Sequence, residues 1–409
     1  MKNKISFITE HSAIKSDNDF FEHISKIKFK DKSFPNSDAI EFVNQFSKSI
    51  LLDKNARAFP ELIVLANFFK RKNLFRNIQS ELDKNKEFIQ MPLGKIFHIA
   101  PSNVDTIFLY SSLIALLCGN ICFIRVSSNK TTQLDFVIEK LKSTLASYKS
   151  MKDKIFVFTY NHDYEITKKI SEAVQSRVVW GGDETIKEIR SIPLNPLARE
   201  IVFPNRFSFS IIKSKAVYEY ESNLDSIIKG FYNDTSYFNQ QACSSPKLII
   251  WFGSHDDNLK ARNIFWNHYN DYVMANNIND DAGMVMDRFV ASSFYAANNL
   301  ASKSNDVDYP TKLNITDLSS KLIREAHPGN GLFLELEKNN IKDVADEIRE
   351  IDQTMSYIGF TKKEIVNFAM HLTNRGVDRI VPIGHSLDFN AIWDGYDLVE
   401  QFSRKVTID

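Results

Sequence analysis

Cysteine is scarce: Cys118, Cys122 and Cys243 are the only three in 409 residues. Three thiols build neither a disulfide framework nor a four-thiolate zinc site, which implies reduced thiols and an intracellular, cytoplasmic chain. Glycine (13) and proline (11) are sparse too, so long flexible linkers are absent. No sign of charge dominates, because 51 Lys and Arg balance 51 Asp and Glu. That balance argues against nonspecific nucleic-acid binding and against a polybasic membrane anchor. The segment Met1 to Glu10 lacks a secretory h-region. The G-x-G-x-x-G fingerprint is missing throughout, as is any tight histidine spacing such as H-E-x-x-H, so no metal site is expected. No internal repeat is found, and the lone Trp393-Asp394 pair therefore says nothing of a propeller.

What is present is an ordinary globular composition, 43% hydrophobic and 25% charged, long enough for two domains and a large core. Ile107 to Ile124 carries no charge and approaches the length of a membrane span. Gly119-Asn120 interrupts it and Arg125 closes it, so it reads as a buried helix, a turn and a buried strand. Residues 1 to about 90 read as mostly helical and polar. From Lys95 short apolar runs alternate with helical stretches. Strands are predicted near 95–100, 121–126, 155–159 and 177–180, with helices over 104–117, 131–147, 166–174 and 185–192. A second alternation has strands near 208–212 and 247–252, helices over 224–232 and 258–275, and a strand near 331–335. Such alternation predicts parallel, doubly wound α/β sheets.

Doubly wound sheets place ligands beyond the carboxyl ends of their strands, and three segments are assigned to strand ends of this kind. Asn103, after the strand ending at Ala100, is read on spacing as a helix cap before it is read as a catalytic amide. Trp180-Gly181-Gly182-Asp183 is a strand-to-helix corner whose glycines allow a ligand close to the backbone. Cys243, in Gln241-Ala242-Cys243-Ser244-Ser245-Pro246, has small and polar neighbours, unlike Cys118 and Cys122, which lie in apolar runs. It is read equally as a nucleophile and as a partly exposed structural thiol. His98 reads as a core histidine. His327 and His385 are loop residues able to serve a cysteine hydrolase.

Together these segments resemble the aldehyde dehydrogenase superfamily, and more closely its acyl-reductase branch, the fatty acyl reductase type of bacterial luminescence. The resemblance rests on Gly94 to Asn103, Gly119 to Ser128, Trp180 to Asp183, Gln241 to Pro246 and Arg379 to Tyr396, within about 94–398. It implies two doubly wound α/β domains with the active-site cysteine in the cleft between them. The dinucleotide-binding domain, with the N-terminal helical region, would span 1–212, regained by about 380–409, and the cysteine domain 213–379. The implied reaction is reduction of a fatty acyl thioester, acyl-CoA or acyl-protein, to the aldehyde through an acyl-Cys243 intermediate. Asn103 and the Cys243 backbone N–H would serve as oxyanion donors, each worth about 3 kcal/mol of barrier. Arg125, Ser127, Ser128, Gly181 and Gly182 would contact the cofactor, and Arg125 in the usual lysine position favours NADPH over NADH. A structural salt bridge is the competing role for Arg125. The glutamate that activates water in hydrolytic relatives has no counterpart in Val202 to Ser208. The resemblance also implies an acyl-protein synthetase and an acyl transferase as partners, and homo-oligomers. A cysteine acyl transferase or thioesterase without hydride transfer is the alternative.

Overall fold

The protein is described from a computed structural model covering residues 4–28, 32–70, 88–101, 107–129, 131–219, 223–276, 280–302 and 308–408. It divides into two compact units, residues 1–205 with 389–409, and residues 206–388.

The first unit is built on a six-stranded sheet in the order β1-β5-β4-β3-β6-β7. Its strands are β1 (Ser6–Phe7), β3 (Lys95–Ile99), β4 (Ile121–Arg125), β5 (Ile155–Thr159), β6 (Ser176–Trp180) and β7 (Arg199–Phe203). All pairings are parallel except that of β1 with β5. β3 to β6 are buried along almost their whole length, which is why each reads as a continuous apolar run instead of an alternating one. The order runs outward from β3 through β4 to β5, then returns beside β3 with β6, so the sheet reverses direction between β3 and β6.

The uncharged stretch folds as the helix Ile107–Leu117, buried nearly all round, followed by β4. No helix among the described residues is long and apolar enough to cross a membrane. The crossover helices Thr132–Ser147 and Tyr164–Ala173 start at side-chain caps, Thr131 to the Leu134 amide and Asp163 to the Ile166 amide. Helix Asp183–Arg190 begins at Gly182 with no side-chain cap. A separate ribbon pairs β2 (Phe88–Pro92) with β16 (Ser403–Thr407), and β14 (Ile392–Trp393) with β15 (Tyr396–Asp397) forms a small hairpin.

The second unit holds an all-parallel sheet in the order β10-β11-β9-β8-β12-β13. These strands are β8 (Phe207–Lys213), β9 (Pro246–Phe252), β10 (Thr311–Asn314), β11 (Leu332–Lys338), β12 (Asp352–Ile358) and β13 (Arg379–Pro382). Two cores lie on its two faces. One centres on Phe209, Ile211, Leu334 and Met355, the other on Ile212, Trp251, Phe265 and Phe333.

β8, β9, β11 and the helices Leu224–Ser236 and His255–Ala275 fall where the periodicity put them. Helix Ala282–Ala297 and strands β7, β10, β12 and β13 were not legible in the sequence. β1, β2 and β16 were likewise missed. β2 pairs with residues more than 300 positions away, and a local pattern cannot announce such a partner.

Candidate active site

The segment before β9 is fixed from several sides. After the helix Leu224–Ser236 the chain turns through Asn239 and Gln240, both left-handed with φ of 49° and 60°. Non-glycine residues adopt that conformation at a cost, so the surroundings must hold it. The buried Gln240 side chain does so. Its Nε2 donates to the Pro246 carbonyl at 2.9 Å and its Oε1 accepts from the Gly331 amide at 2.9 Å. Gln241 Nε2 donates to the Pro328 carbonyl at 2.7 Å, and the Asn330 backbone amide to the Asn239 carbonyl at 2.8 Å. Gly329 has φ +75°, and a Cβ there would meet Gln241 Nε2 at 2.8 Å and the Asn239 carbonyl at 3.0 Å. The 327–331 turn thus clamps the cysteine segment.

Cys243 is partly exposed, whereas Cys118 and Cys122 are buried and desolvation pushes both of their thiols up. The sequence placed the cysteine segment at a carboxyl strand end, and the structure corrects this. The segment leads into β9, so in this all-parallel sheet it stands at the amino ends of the strands. The reason is the connection: the helix Leu224–Ser236 returns the chain to the edge where every strand of the sheet begins.

Ser208 anchors this edge. Its hydroxyl donates to the Cys243 carbonyl at 2.7 Å and accepts from the Thr354 amide at 3.2 Å. The ladder is irregular on both sides of it. Ser208 pairs with Pro246 but Phe209 with Leu248, leaving Lys247 as an extra residue, and β12 carries one extra residue between Asp352 and Met355. Bulges of this kind re-aim side chains and concentrate near functional sites.

Lys247 is half-buried, interacts electrostatically with Cys243 and His327, and desolvation lowers its pKa while Cys243 acts in the opposite sense. Burial, helped by the Lys247 charge, holds His327 well below the usual histidine range, so the imidazole is neutral at pH 7. Its Nδ1 accepts from the Gly329 amide at 3.1 Å, which leaves the ring proton on a buried Nε2. His385 is exposed and pairs with Asp388. Lys247 and Ser208 escaped the sequence reading. Their signals were a lysine opening the apolar run Lys247 to Phe252, and a serine inside a strand buried on both faces.

In the first unit, Arg125 ends β4 and lies over the Tyr160 ring, 4.9 Å from its centroid, donating to the Tyr160 carbonyl at 3.3 Å. Among the described residues its buried Nε has no hydrogen-bond partner and it makes no ion pair. Arg125, Ile99, Tyr160, Thr185 and Glu188 line a cavity of about 40 Å³. This cavity touches β3 and the helix that follows β6, so it sits at the carboxyl edge where the strand order reverses, the ligand position of doubly wound sheets. Gly181 and Gly182 open the helix carrying Thr185 and Glu188. The Ser127 hydroxyl accepts from the Asn129 amide at 3.1 Å and Ser128 is exposed; neither lines the cavity. Asn103 lies outside the described residues. Among those residues no group of His, Cys, Asp and Glu is placed to hold a metal ion.

His98 in β3 is fully buried; its Nδ1 is 3.1 Å from Ser111 Oγ, which also accepts from Trp180 Nε1 at 3.2 Å. Burial pushes its pKa down to about 3, so it is a neutral core histidine.

Residues 22–265 match the model of the acyl-CoA reductase (LuxC) family. That match covers well over half of the 409 residues. The chain belongs to that family.

Membership of this family of reductases makes the chain an oxidoreductase, and the matched region contains Arg125, the Gly181-Gly182 corner and the Cys243 segment. A long-chain acyl-protein thioester reductase from Photorhabdus laumondii is 23% identical over 337 residues, covering 81% of this chain and 67% of that protein. Another of the same name from Aliivibrio fischeri is 25% identical over 169 residues, 41% of this chain and only 33% of that protein. The fold is that of aldehyde dehydrogenases. The crystal structure of glyceraldehyde-3-phosphate dehydrogenase GapN from Methanocaldococcus jannaschii complexed with NADP superposes with a TM-score of 0.64 at 15% identity, over 96% of this chain and 92% of that one. An NAD-dependent aldehyde dehydrogenase from Sinorhizobium meliloti gives 0.68 at 11% identity, over 96% and 86%.

Proposed function

We propose that this LuxC-family chain reduces a long-chain fatty acyl thioester, acyl-CoA or acyl-protein, to the fatty aldehyde with NADPH, through an acyl-Cys243 intermediate. The observation that carries this reading is the clamped, partly exposed Cys243 within the family-matched region, set against two buried thiols raised by desolvation.

The Cys243 sulfur attacks the acyl carbonyl, forming the S–C bond and expelling the donor's thiolate. It recovers its electron pair when the aldehyde leaves. Asn103 and the Cys243 backbone N–H are the assigned oxyanion donors, in keeping with the family resemblance. Ser208 and Gln240 hold the segment so that the sulfur need not be ordered during reaction. No carboxylate occupies Val202 to Ser208, so hydrolysis of the acyl-enzyme lacks a local base.

A nicotinamide, when bound, supplies the hydride. The first unit fits such a group. Gly182 has φ −66° and ψ 163°, a conformation open to any residue, and a Cβ on it would meet nothing nearer than 3.6 Å. Neither strain nor crowding within the chain calls for this glycine, which is the pattern expected where a ligand's phosphates approach the backbone. The carboxylates of that first turn are already engaged, Asp183 by the Asn205 amide and Glu184 by Lys187. Arg125, with its orphaned Nε at the cavity, is the proposed contact for the 2′-phosphate of NADPH. Ser127 and Ser128 are assigned to the adenosine ribose on the resemblance alone.

The test is incubation of the full chain with a long-chain acyl-CoA, with and without NADPH. Wild type should show an acyl adduct on the Cys243 peptide and NADPH-dependent aldehyde. Cys243→Ala should lose both, with its circular dichroism unchanged. Full reduction surviving in Cys243→Ala overturns the mechanism, and acyl-CoA consumption without NADPH oxidation makes the chain a transferase or thioesterase.

A further inference from the structure

Lys247 is the bulged residue of β9, four positions after Cys243, at the edge where the cysteine segment enters the sheet. A half-buried ammonium costs solvation free energy and is normally paired with a carboxylate. Among the described residues Lys247 has no ion-pair partner. Charged groups elsewhere on this sheet are committed to other partners. Arg324 and Asp352 form a buried pair, with Arg324 Nε 2.7 Å from Asp352 Oδ1. Glu335, on β11, accepts from the indoles of Trp251 and Trp266 at 2.8 and 2.9 Å. His327, on the clamping turn, is neutral. Cys243 is the charge-bearing group that acts on Lys247, in the sense opposite to burial.

We infer that Lys247 is a positioning residue for the nucleophile: the bulge holds its ammonium where it stabilises the Cys243 sulfur as thiolate. The inference rests on Cys243 being the nucleophile proposed above. It assigns a specific purpose to the ladder irregularity, since in regular register Pro246 and Lys247 would oppose consecutive residues of β8 and the side chain at 247 would be aimed otherwise. The Cys243 thiol releases its proton to solvent, and the charge left behind on sulfur faces the Lys247 ammonium. The same charge is met again when the aldehyde departs and the sulfur recovers its electron pair. Ser208 and Gln240 contribute by fixing the backbone on both sides of the pair, at the Cys243 and Pro246 carbonyls.

The experiment follows iodoacetamide alkylation of the Cys243 peptide by mass spectrometry as a function of pH, on the full-length chain. Lys247→Met should slow alkylation at pH 7 about tenfold and move the midpoint of the pH–rate profile upward, because the thiolate fraction sets the rate. Lys247→Arg, which keeps the charge, should retain most of the wild-type rate. Should Lys247→Met lose the wild-type circular dichroism, Lys247→Gln takes its place under the same criteria. A profile for the neutral variant that superimposes on wild type overturns the assignment. So does an Arg variant as slow as the neutral one, which would mean that packing mattered and charge did not. Alkylation needs neither acyl donor nor cofactor, so the readout separates this assignment from the proposed activity. A profile that does not move while acyl-Cys243 still forms removes Lys247 alone. A shifted profile without acylation removes the activity and leaves the charge pairing standing.

Discussion

At the scale of single residues, Arg125 shows how one side chain can satisfy its neighbours and still hold something in reserve. Its guanidinium stacks on Tyr160 and bonds one carbonyl, yet its buried Nε has no partner among the described residues. A guanidinium offers five donors, and two in-plane donors match a phosphate well. Arg125→Met should therefore raise the KM for NADPH by about tenfold or more while leaving that for NADH nearly unchanged. Initial rates with the two cofactors, measured side by side, check this. An equal rise for both would show that Arg125 only shapes the cavity. The sequence pointed to Arg125 at a strand end, but the Tyr160 ring beneath it depends on a neighbouring strand.

Secondary-structure elements are tied together by a few buried polar side chains. Asp234, inside the helix Leu224–Ser236, accepts from the amides of Gly384 and Ser386 and from the Ser386 hydroxyl, at 2.7 to 2.9 Å. It joins the helix that leads to Cys243 to the turn after β13. Burial nevertheless dominates those three bonds and pushes its pKa up to about 6. The folded chain thus retains this proton at pH values where the unfolded chain has released it. Its stabilising effect is complete below the ordinary carboxyl pKa near 3.8 and is lost as the pH rises through 6. Wild type should lose about 2–3 kcal/mol relative to Asp234→Asn between pH 4 and pH 7, a difference accessible by urea unfolding at each pH. A constant difference would place the Asp234 pKa at an ordinary value. Nothing in the sequence around Asp234 hinted at this link, because its partners lie 150 residues away.

Across the whole molecule, the three thiols report on folding without any activity assay. Cys118 and Cys122 sit between a buried helix and a buried strand, 2% and 0% exposed, whereas Cys243 is accessible. A thiol reagent applied to the native chain should modify one cysteine quickly, and all three only after unfolding in denaturant. Rapid modification of two or three in native buffer would contradict the packing of the first unit. The composition anticipated this contrast, since the first two cysteines stand in apolar runs and the third among small polar residues.

The sequence by itself determined the parallel α/β architecture, because strands buried on both faces must be continuous apolar runs and the helices between them must be amphipathic or buried. It also marked Cys243 and the Gly181-Gly182 corner as candidates by local composition, whereas Arg125 entered, and Cys243 was preferred as nucleophile, only through the family resemblance. Only the tertiary structure decided that the cysteine segment stands at the amino edge of its sheet. It alone revealed that β8 is flanked by two bulges and that Ser208, Lys247 and His327 gather at the cysteine segment. Those facts depend on which distant strands pair, and in what register. Pairing register is a property of the assembled sheet and leaves no trace in any single stretch of chain.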